Sequence, residues 1–571
     1  MAASLHDLML TVGVGNHPGW FRDIPLPFWP MQHQLDMIRK YPWNDRYGDF
    51  SEPGAGKTYP AQVHAIMMAA MGNRVVFTTL PGLIPQFMAE FEVFFPGVTK
   101  HLKIEHLDCT ADQKKKKERI WDVEGWPDIL VLSYDIYRLY NDKNLVKKIG
   151  NNQWKIRNIN ELGTPLEFAT SYHLEADEPD EPGKPGRKKG EPRFPNAQPY
   201  TKDGRMVNKS GKATNPKRLQ LKEHGYNVLF FDEGDALCGM DSILSESVFE
   251  MSTTLKGDIA IYILTGTPIP TKLHNAYGLI RLINPEAYLN KASFIRQHCE
   301  QQEFRIPLPG GKTKKIKDIV GYLNTEKIYD SLWKNAHRVQ KRDVIPMPEP
   351  IISEVPVRLS GRHLKLYRQV INDRFAILGD RVLAPDNSSA LRHMALELIS
   401  CPSKFDPTLT ECDELAKATG DLVESINPGP KRKLIIFAFY RGAIEQLAMQ
   451  FAYRKTAIVY GGIPDRKEQI DKFLHDDECD TIIIQWVSGG AGLNLQVAGY
   501  IIFYECPTSP KAAKQAIARA DRKGQVNIVN VYFMRVRGTL SDRNFKALLA
   551  NEESNNRAIK DKHDLLHELL G

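Results

Sequence analysis

At 571 residues the chain is too long for a single hydrophobic core and demands two or more domains. Its 42% hydrophobic and 25% charged residues are those of a soluble globular protein, and the apolar run at residues 65–71 is far short of the roughly twenty residues of a membrane span. A formal net charge of +7 permits a polyanionic partner without requiring one. The first ten residues lack a basic start followed by a long apolar run. Seven cysteines are scattered with no Cys-x-x-Cys pair, which argues against a disulfide framework or a zinc ribbon. The expectation is an intracellular, cytoplasmic protein with reduced thiols and no membrane contact.

The first landmark in chain order is Ser51-Glu52-Pro53-Gly54-Ala55-Gly56-Lys57-Thr58. Glycine lets the backbone approach phosphates with its N–H groups inward, so Gly54, Ala55 and Gly56 form a cradle. Lys57 supplies a point charge to the β/γ-phosphates, and the Thr58 hydroxyl can ligate magnesium. ATP and Mg2+ are the cofactors this implies. Ser51 stands where the strict phosphate-loop pattern has glycine, and an ordinary Gly-rich turn before a helix is the alternative. A helix at residues 61–71 and a β-branched strand at 74–79 follow, the order typical of a parallel sheet. Further buried strands are expected at 128–132, 226–231 and 260–264.

Residues 151–224 break this pattern and read as an insertion. Positions 175–193 are crowded with proline, glycine and acids before Arg187-Lys188-Lys189, and 202–222 are polar and basic. Both a solvated loop and a basic element touching phosphates fit that composition. The next strand delivers Phe230-Phe231-Asp232-Glu233-Gly234-Asp235. An acidic pair at a strand end lets Asp232 hold magnesium through its water shell, while Glu233 orients and deprotonates the attacking water.

Helices are expected at 291–301, 326–339 and 362–378. A second alternating region then runs through strands at 433–439, 456–460, 481–485, 500–504 and 528–533, without a phosphate loop of its own. Near its end Arg519 and Arg522, three apart, share a helix face and can point across an interlobe cleft at the γ-phosphate. A solvated basic face is the alternative. Gly492 and Asn494 are expected in a tight turn near both ATP and a nucleic-acid backbone.

Ile263-Leu264-Thr265-Gly266-Thr267-Pro268-Ile269-Pro270 resembles the Thr-Gly-Thr-Pro segment of Swi/Snf-type ATPases, the double-stranded DNA translocases of helicase superfamily two. His33-Gln34 looks like that family's adenine-reading glutamine motif. Residues 77–91 resemble motif Ia, Ser133-Tyr134-Asp135 resembles motif Ib, and Asp232–Asp235 stands at the Asp-Glu-x-x box. Arg338 and Lys341-Arg342 sit like the basic segment between lobes, and 435–439 resembles motif IV. Ser488-Gly489-Gly490-Ala491-Gly492-Leu493-Asn494-Leu495 is similar to motif V, and Gln515-Ala516-x-x-Arg519-x-x-Arg522-x-Gly524-Gln525 to motif VI. All occur in order from Pro30 to about Lys546, failing only over the insertion.

The resemblance implies an α/β fold of two RecA-like parallel-sheet lobes with a helical bridge or protrusion between them. The expected division is an N-terminal leader 1–28, an ATP-binding lobe 29–285 with insertion 151–224, a helical bridge 286–430, a second lobe 431–545 and a C-terminal helix 546–571. It further implies that Gln34, Gly492, Asn494 and Gln525 help bind nucleotide, and that Thr265 and Thr267 relay nucleotide state to the nucleic-acid track. Ser133, Tyr134, Ser488, Gly489 and Gly490 are the implied nucleic-acid contacts. Leu80 and Phe87 replace the proline and tryptophan of motif Ia, Ala518 the aspartate before Arg519, and Thr508-Ser509-Pro510 stands for Trp-Asn-Pro. None of these removes a catalytic group, and they suggest a divergent, compact member, viral or bacterial, acting in the host cytoplasm if viral. No bromodomain-like, chromodomain-like or zinc-finger segment is seen, which turns the expectation away from chromatin remodelling. The expected activity is a DNA-dependent ATPase moving along mainly double-stranded or branched DNA in replication, recombination or repair. A strand-separating DNA or RNA helicase and an ATP-switched DNA-binding recruitment factor are the alternatives.

Overall fold

A computed structural model describes residues 3–41, 45–141, 144–150, 153–158, 206–207, 213–214, 221, 224–240, 242–254, 259–269, 272–307, 313–373, 376–378, 381–383, 388–409, 411–486, 494–507, 510–522 and 524–546. Two all-parallel sheets organise them. The first has seven strands in the order Ala336–His337, Arg46–Asp49, Ala260–Leu264, Tyr226–Asp232, Arg74–Thr79, Ile129–Ser133, Ile104–His106. The second has six, in the order Ile351–Val357, Asn530–Val536, Ala498–Phe503, Lys433–Ala438, Thr481–Gln485, Thr456–Val459.

The central strands are short, β-branched and apolar throughout, as a sheet covered on both faces requires. Alternation with period two divides them between two cores. In the first lobe Val75, Phe77, Val228 and Phe230 face one core, and Val76, Leu130, Leu229 and Phe231 face the other. In the second, Leu434, Ile436 and Ile483 lie on one side, and Ile435, Phe437 and Ile482 on the other. Strand Arg46–Asp49 is separated from its sequence successor Arg74–Thr79 by two other strands. The crevice at the carboxyl ends of a sheet ordered in this way is where α/β folds bind ligands.

The structure redraws the expected divisions. Residues of the leader 1–28 are part of the first lobe: helix Leu5–Thr11 starts at a capping box between Ser4 and Asp7, and Leu5, Leu8, Phe21 and Ile24 are buried in its core. Within the stretch 286–430, the described helices pack on one lobe or the other. Helix Lys291–His298 and helix Thr325–Trp333 bury Phe294, Ile328 and Leu332 in the first lobe. Helices Gly361–Asp373, Ser388–Ser400 and Glu414–Ile426 pack Val370, Leu398 and Val423 on the second sheet. The helix expected at 326–339 ends at Trp333, because Ala336–His337 pairs with the strand before the phosphate loop, and the end of the helix expected at 291–301 is replaced by the hairpin Cys299–Pro307 with Thr313–Tyr322. The chain thus passes between lobes over residues 345–350. Of the insertion, Leu221 is buried against the first lobe and His224 stacks on Trp126 at 4.0 Å. Its basic stretches at 187–189 and 202–222 lie almost wholly outside the described residues, as does the C-terminal helix expected at 546–571 beyond residue 546.

At the end of strand Ala498–Phe503, Glu505 is buried and accepts the Phe439 N–H at 2.8 Å. Burial pushes its carboxyl up to about 7, against the pull of that N–H. A carboxyl raised on folding costs nothing below its unfolded value and destabilises progressively as pH rises through its folded one. Glu505→Gln, which keeps an acceptor oxygen, is therefore expected to melt higher than wild type at pH 8 and to lose that advantage between pH 7 and pH 4.5. Thermal unfolding across that range checks it, and a difference independent of pH would show that ionisation is not the cause.

Candidate active site

The loop after strand Arg46–Asp49 carries Gly54 and Gly56 at φ +84° and +83°, where side chains are disfavoured. A Cβ on Gly56 would also stand 2.6 Å from Gln34 Nε2. The Gln34 amide is spent locally: it accepts the Met31 N–H at 2.9 Å and donates to the Gly56 carbonyl at 3.0 Å. His33 Nε2 donates to the Ala55 carbonyl at 2.8 Å. Together these two side chains hold the loop from behind, with Ala55 buried. The loop enters helix Thr58–Ala70, whose N-terminus offers orphan N–H groups and partial positive charge to an anion. Lys57 Nζ folds over its own loop and donates to the Ser51 and Glu52 carbonyls at 2.8 and 3.1 Å.

Facing the lysine, strand Tyr226–Asp232 ends in the acidic pair. Glu233 adopts φ +55°, a left-handed conformation uncommon for a residue with a side chain and a mark of locally stored strain. Gly234 follows because a Cβ there would meet Ile263 Cγ2 at 2.3 Å. Asp232 Oδ2 accepts the Thr79 hydroxyl at 3.1 Å, and the Asp232 carbonyl accepts the Tyr134 hydroxyl at 2.7 Å. Burial and the neighbouring Glu233 push the Asp232 carboxyl upward, while Lys57 and Thr79 pull it back. A cation arriving beside it would favour the ionised form. The hard oxygens of Asp232 and Thr58 suit magnesium, which takes few protein ligands when phosphates supply the rest. No cluster of three or more His, Cys, Asp or Glu able to hold a metal occurs among the described residues.

The second lobe closes the cleft. After helix Pro510–Ile517 a turn carries Arg519 and Arg522, and both line the same cleft as Gly54, Gly56, Lys57, Thr58, Asp232 and Glu233. Gln515 Nε2 donates to Glu233 Oε2 at 2.8 Å across the lobes. Burial lowers the Arg519 guanidinium to about 10, opposed by Glu233, so it stays charged at neutral pH. Burial likewise lowers Arg522, opposed by Glu90 of helix Ile84–Phe94. The arrangement sets a lysine, two arginines and three carboxylates, Glu90, Asp232 and Glu233, around one space.

Not every expected residue reaches it. Ser133 and Tyr134 are 2% and 9% exposed, and Tyr134 buttresses the Asp232 strand. Gln525 donates to the Ala498 and Ala520 carbonyls at 2.7 and 3.1 Å, bracing the arginine turn within its own lobe. Asn494 is exposed and is not among the described residues that line the cleft. Ser488, Gly489, Gly490 and Gly492 lie outside the described residues. Thr265 donates its N–H to the Asp49 carbonyl at 2.9 Å and accepts the Thr267 N–H at 3.1 Å. A Cβ on the intervening Gly266 would press on Pro53 Cδ at 2.6 Å, so this turn packs directly on the phosphate loop. Sequence reading missed Glu90 and the role of Gln515. The latter had a signal, since 515, 519 and 522 follow helical spacing.

A phosphate loop on one parallel-sheet lobe, facing arginines brought by a second, defines a two-lobed ATP hydrolase. The SNF2-related domain family matches residues 187–404, and the helicase conserved C-terminal domain family matches residues 417–524. The chain belongs to the Snf2-type, helicase-like ATPases of helicase superfamily two. It is 24% identical over 413 residues to the TATA-binding protein-associated factor MOT1 of Saccharomyces cerevisiae, covering 61% of this chain and 22% of that protein. It is 23% identical over 336 residues to the CHD3-type chromatin-remodeling factor CHR7 of Arabidopsis thaliana, covering 56% and 26%. The solved SWI2/SNF2 ATPase core of Sulfolobus solfataricus in complex with dsDNA aligns over 93% of this chain and 92% of that one at 15% identity, with a TM-score of 0.34. The chain thus spans about a quarter of the length of the two curated relatives. No helix among the described residues is long and apolar enough to cross a membrane.

Proposed function

We propose that this ATPase is driven by DNA and moves along the duplex, hydrolysing ATP with magnesium in the interlobe cleft. The observation that carries the reading is the Gln515 to Glu233 hydrogen bond at 2.8 Å. It joins the lobes at the acidic pair, so a change at the phosphates is felt as a change in lobe contact.

Lys57 and the helix Thr58–Ala70 N-terminus hold the β/γ-phosphates, as the loop geometry around Gly54 and Gly56 supports. Thr58 and Asp232 would hold magnesium, which when bound neutralises charge on the phosphate oxygens. Glu233 accepts a proton from the attacking water and is aimed by its strained backbone and by Gln515. Arg519 and Arg522 stabilise charge developing on the γ-phosphate and do so only while the lobes are together. Gln34 supports nucleotide binding by bracing the phosphate loop through Met31 and Gly56. Thr265 and Thr267 couple the site to the track, supported by the packing of Gly266 on Pro53.

Duplex or branched DNA is the proposed track, on the strength of family membership, the net positive charge and the kinship to a chromatin-remodeling factor. Replication, recombination or repair is the proposed setting. ATP turnover measured with single-stranded DNA, duplex DNA, branched DNA and RNA tests the track. Stimulation by duplex or branched DNA above the other two supports it, and stimulation by RNA alone replaces it with an RNA helicase.

A further inference from the structure

We propose that Lys341 is a positioning residue for ATP hydrolysis, tying the phosphate loop to the turn that carries Arg519 and Arg522. The inference rests on the reading of those arginines as phosphate-facing groups.

Lys341 is 7% exposed. Its Nζ donates to the Asp521 carbonyl and to Asp521 Oδ2, the latter at 2.5 Å. Asp521 lies between the two arginines and donates its own N–H to the Ile517 carbonyl at 2.9 Å. One ammonium thus grips both the backbone and the side chain of the turn. A buried ammonium without such partners would be strongly disfavoured, so the contact resists being broken singly.

The other end of Lys341 is fixed to the phosphate loop. Its backbone N–H donates to Glu52 Oε2 at 3.1 Å, and Arg338 donates to Glu52 Oε1 at 3.1 Å. The Glu52 N–H donates to the Val339 carbonyl at 3.0 Å, and the Val339 N–H to Ser51 Oγ at 3.0 Å. Burial alone would raise the Glu52 carboxyl, yet the Lys341 N–H and the Arg338 guanidinium hold it below its ordinary range. The lysine stem runs past Gly54, 3.7 Å from where a Cβ on that glycine would stand. Segment 338–341 is therefore stitched to the loop that surrounds the phosphates, and Lys341 extends it as a strut to the arginine turn. Lys341 is not among the residues that line the nucleotide cleft and acts through Asp521.

The test is steady-state ATP hydrolysis by the full chain carrying Lys341→Met, which keeps the stem and removes the ammonium. Affinity for a fluorescent ATP analogue and thermal unfolding are measured alongside. Turnover is expected to fall on the order of 10²-fold, the scale of a ~1 Å misplacement, with KM, analogue affinity and Tm little changed. Asp521→Asn should lower turnover in the same way, and the double variant should be no slower than the slower single one. Unchanged turnover in Lys341→Met, a parallel loss of Tm and nucleotide affinity, or multiplying losses in the double variant would overturn the proposal. Arg522→Ala, assayed beside them, separates the two levels. Normal hydrolysis there removes the arginine reading itself, whereas loss there with normal Lys341→Met turnover overturns only the strut.

Discussion

Arg522→Ala is expected to lower ATP turnover by ~10³-fold or more, the scale of arginine fingers in phosphoryl transfer, while DNA affinity stays near wild type. Arg522 lines the nucleotide cleft opposite Lys57 and lies within electrostatic reach of Glu90 across the lobes. Its charge is directed into the lobe interface. Hydrolysis rates at saturating DNA, compared with affinity measured by anisotropy, check this. Equal losses of both would return Arg522 to a basic surface that binds nucleic acid.

Glu233→Gln should bind ATP and stall before hydrolysis. Glutamine retains an oxygen to accept the Gln515 amide, so the interlobe contact at 2.8 Å survives while the proton acceptor is lost. Turnover is expected to fall by ~10²- to 10⁴-fold, the usual contribution of a positioned base, with KM for ATP little raised. Single-turnover hydrolysis and nucleotide binding separate the two steps. Turnover at the wild-type rate would remove Glu233 from the role of base.

The local half of this site was legible in the residues. Gly54 and Gly56 are glycines because the loop needs positive φ, and Asp232 sits at the end of an apolar run because the strand ends there. Such signals span a few positions. The interlobe half was hidden, since Gln515 meets Glu233 across 282 residues and Lys341 meets Asp521 across 180, distances over which no periodicity speaks. The structural contact of Tyr134 was hidden for a related reason: its hydroxyl partner is a backbone carbonyl 98 residues away, and backbone acceptors leave no trace in side-chain pattern. Strand Ile351–Val357 escaped because it is an edge strand, with Ile351 and Ile352 more than half exposed and Pro356 within it. Strand Ala336–His337 is only two residues long and was absorbed into the preceding helix.

The central claim is that hydrolysis in the interlobe cleft moves the protein along duplex DNA. Displacement of a triplex-forming third strand from a duplex tests it most directly, because a translocating motor strips the third strand while leaving the duplex paired. Wild type is expected to release that strand in an ATP-dependent manner, and Glu233→Gln is expected to release none. DNA-stimulated ATP hydrolysis with the third strand left in place would contradict it and identify an ATP-switched binding protein instead.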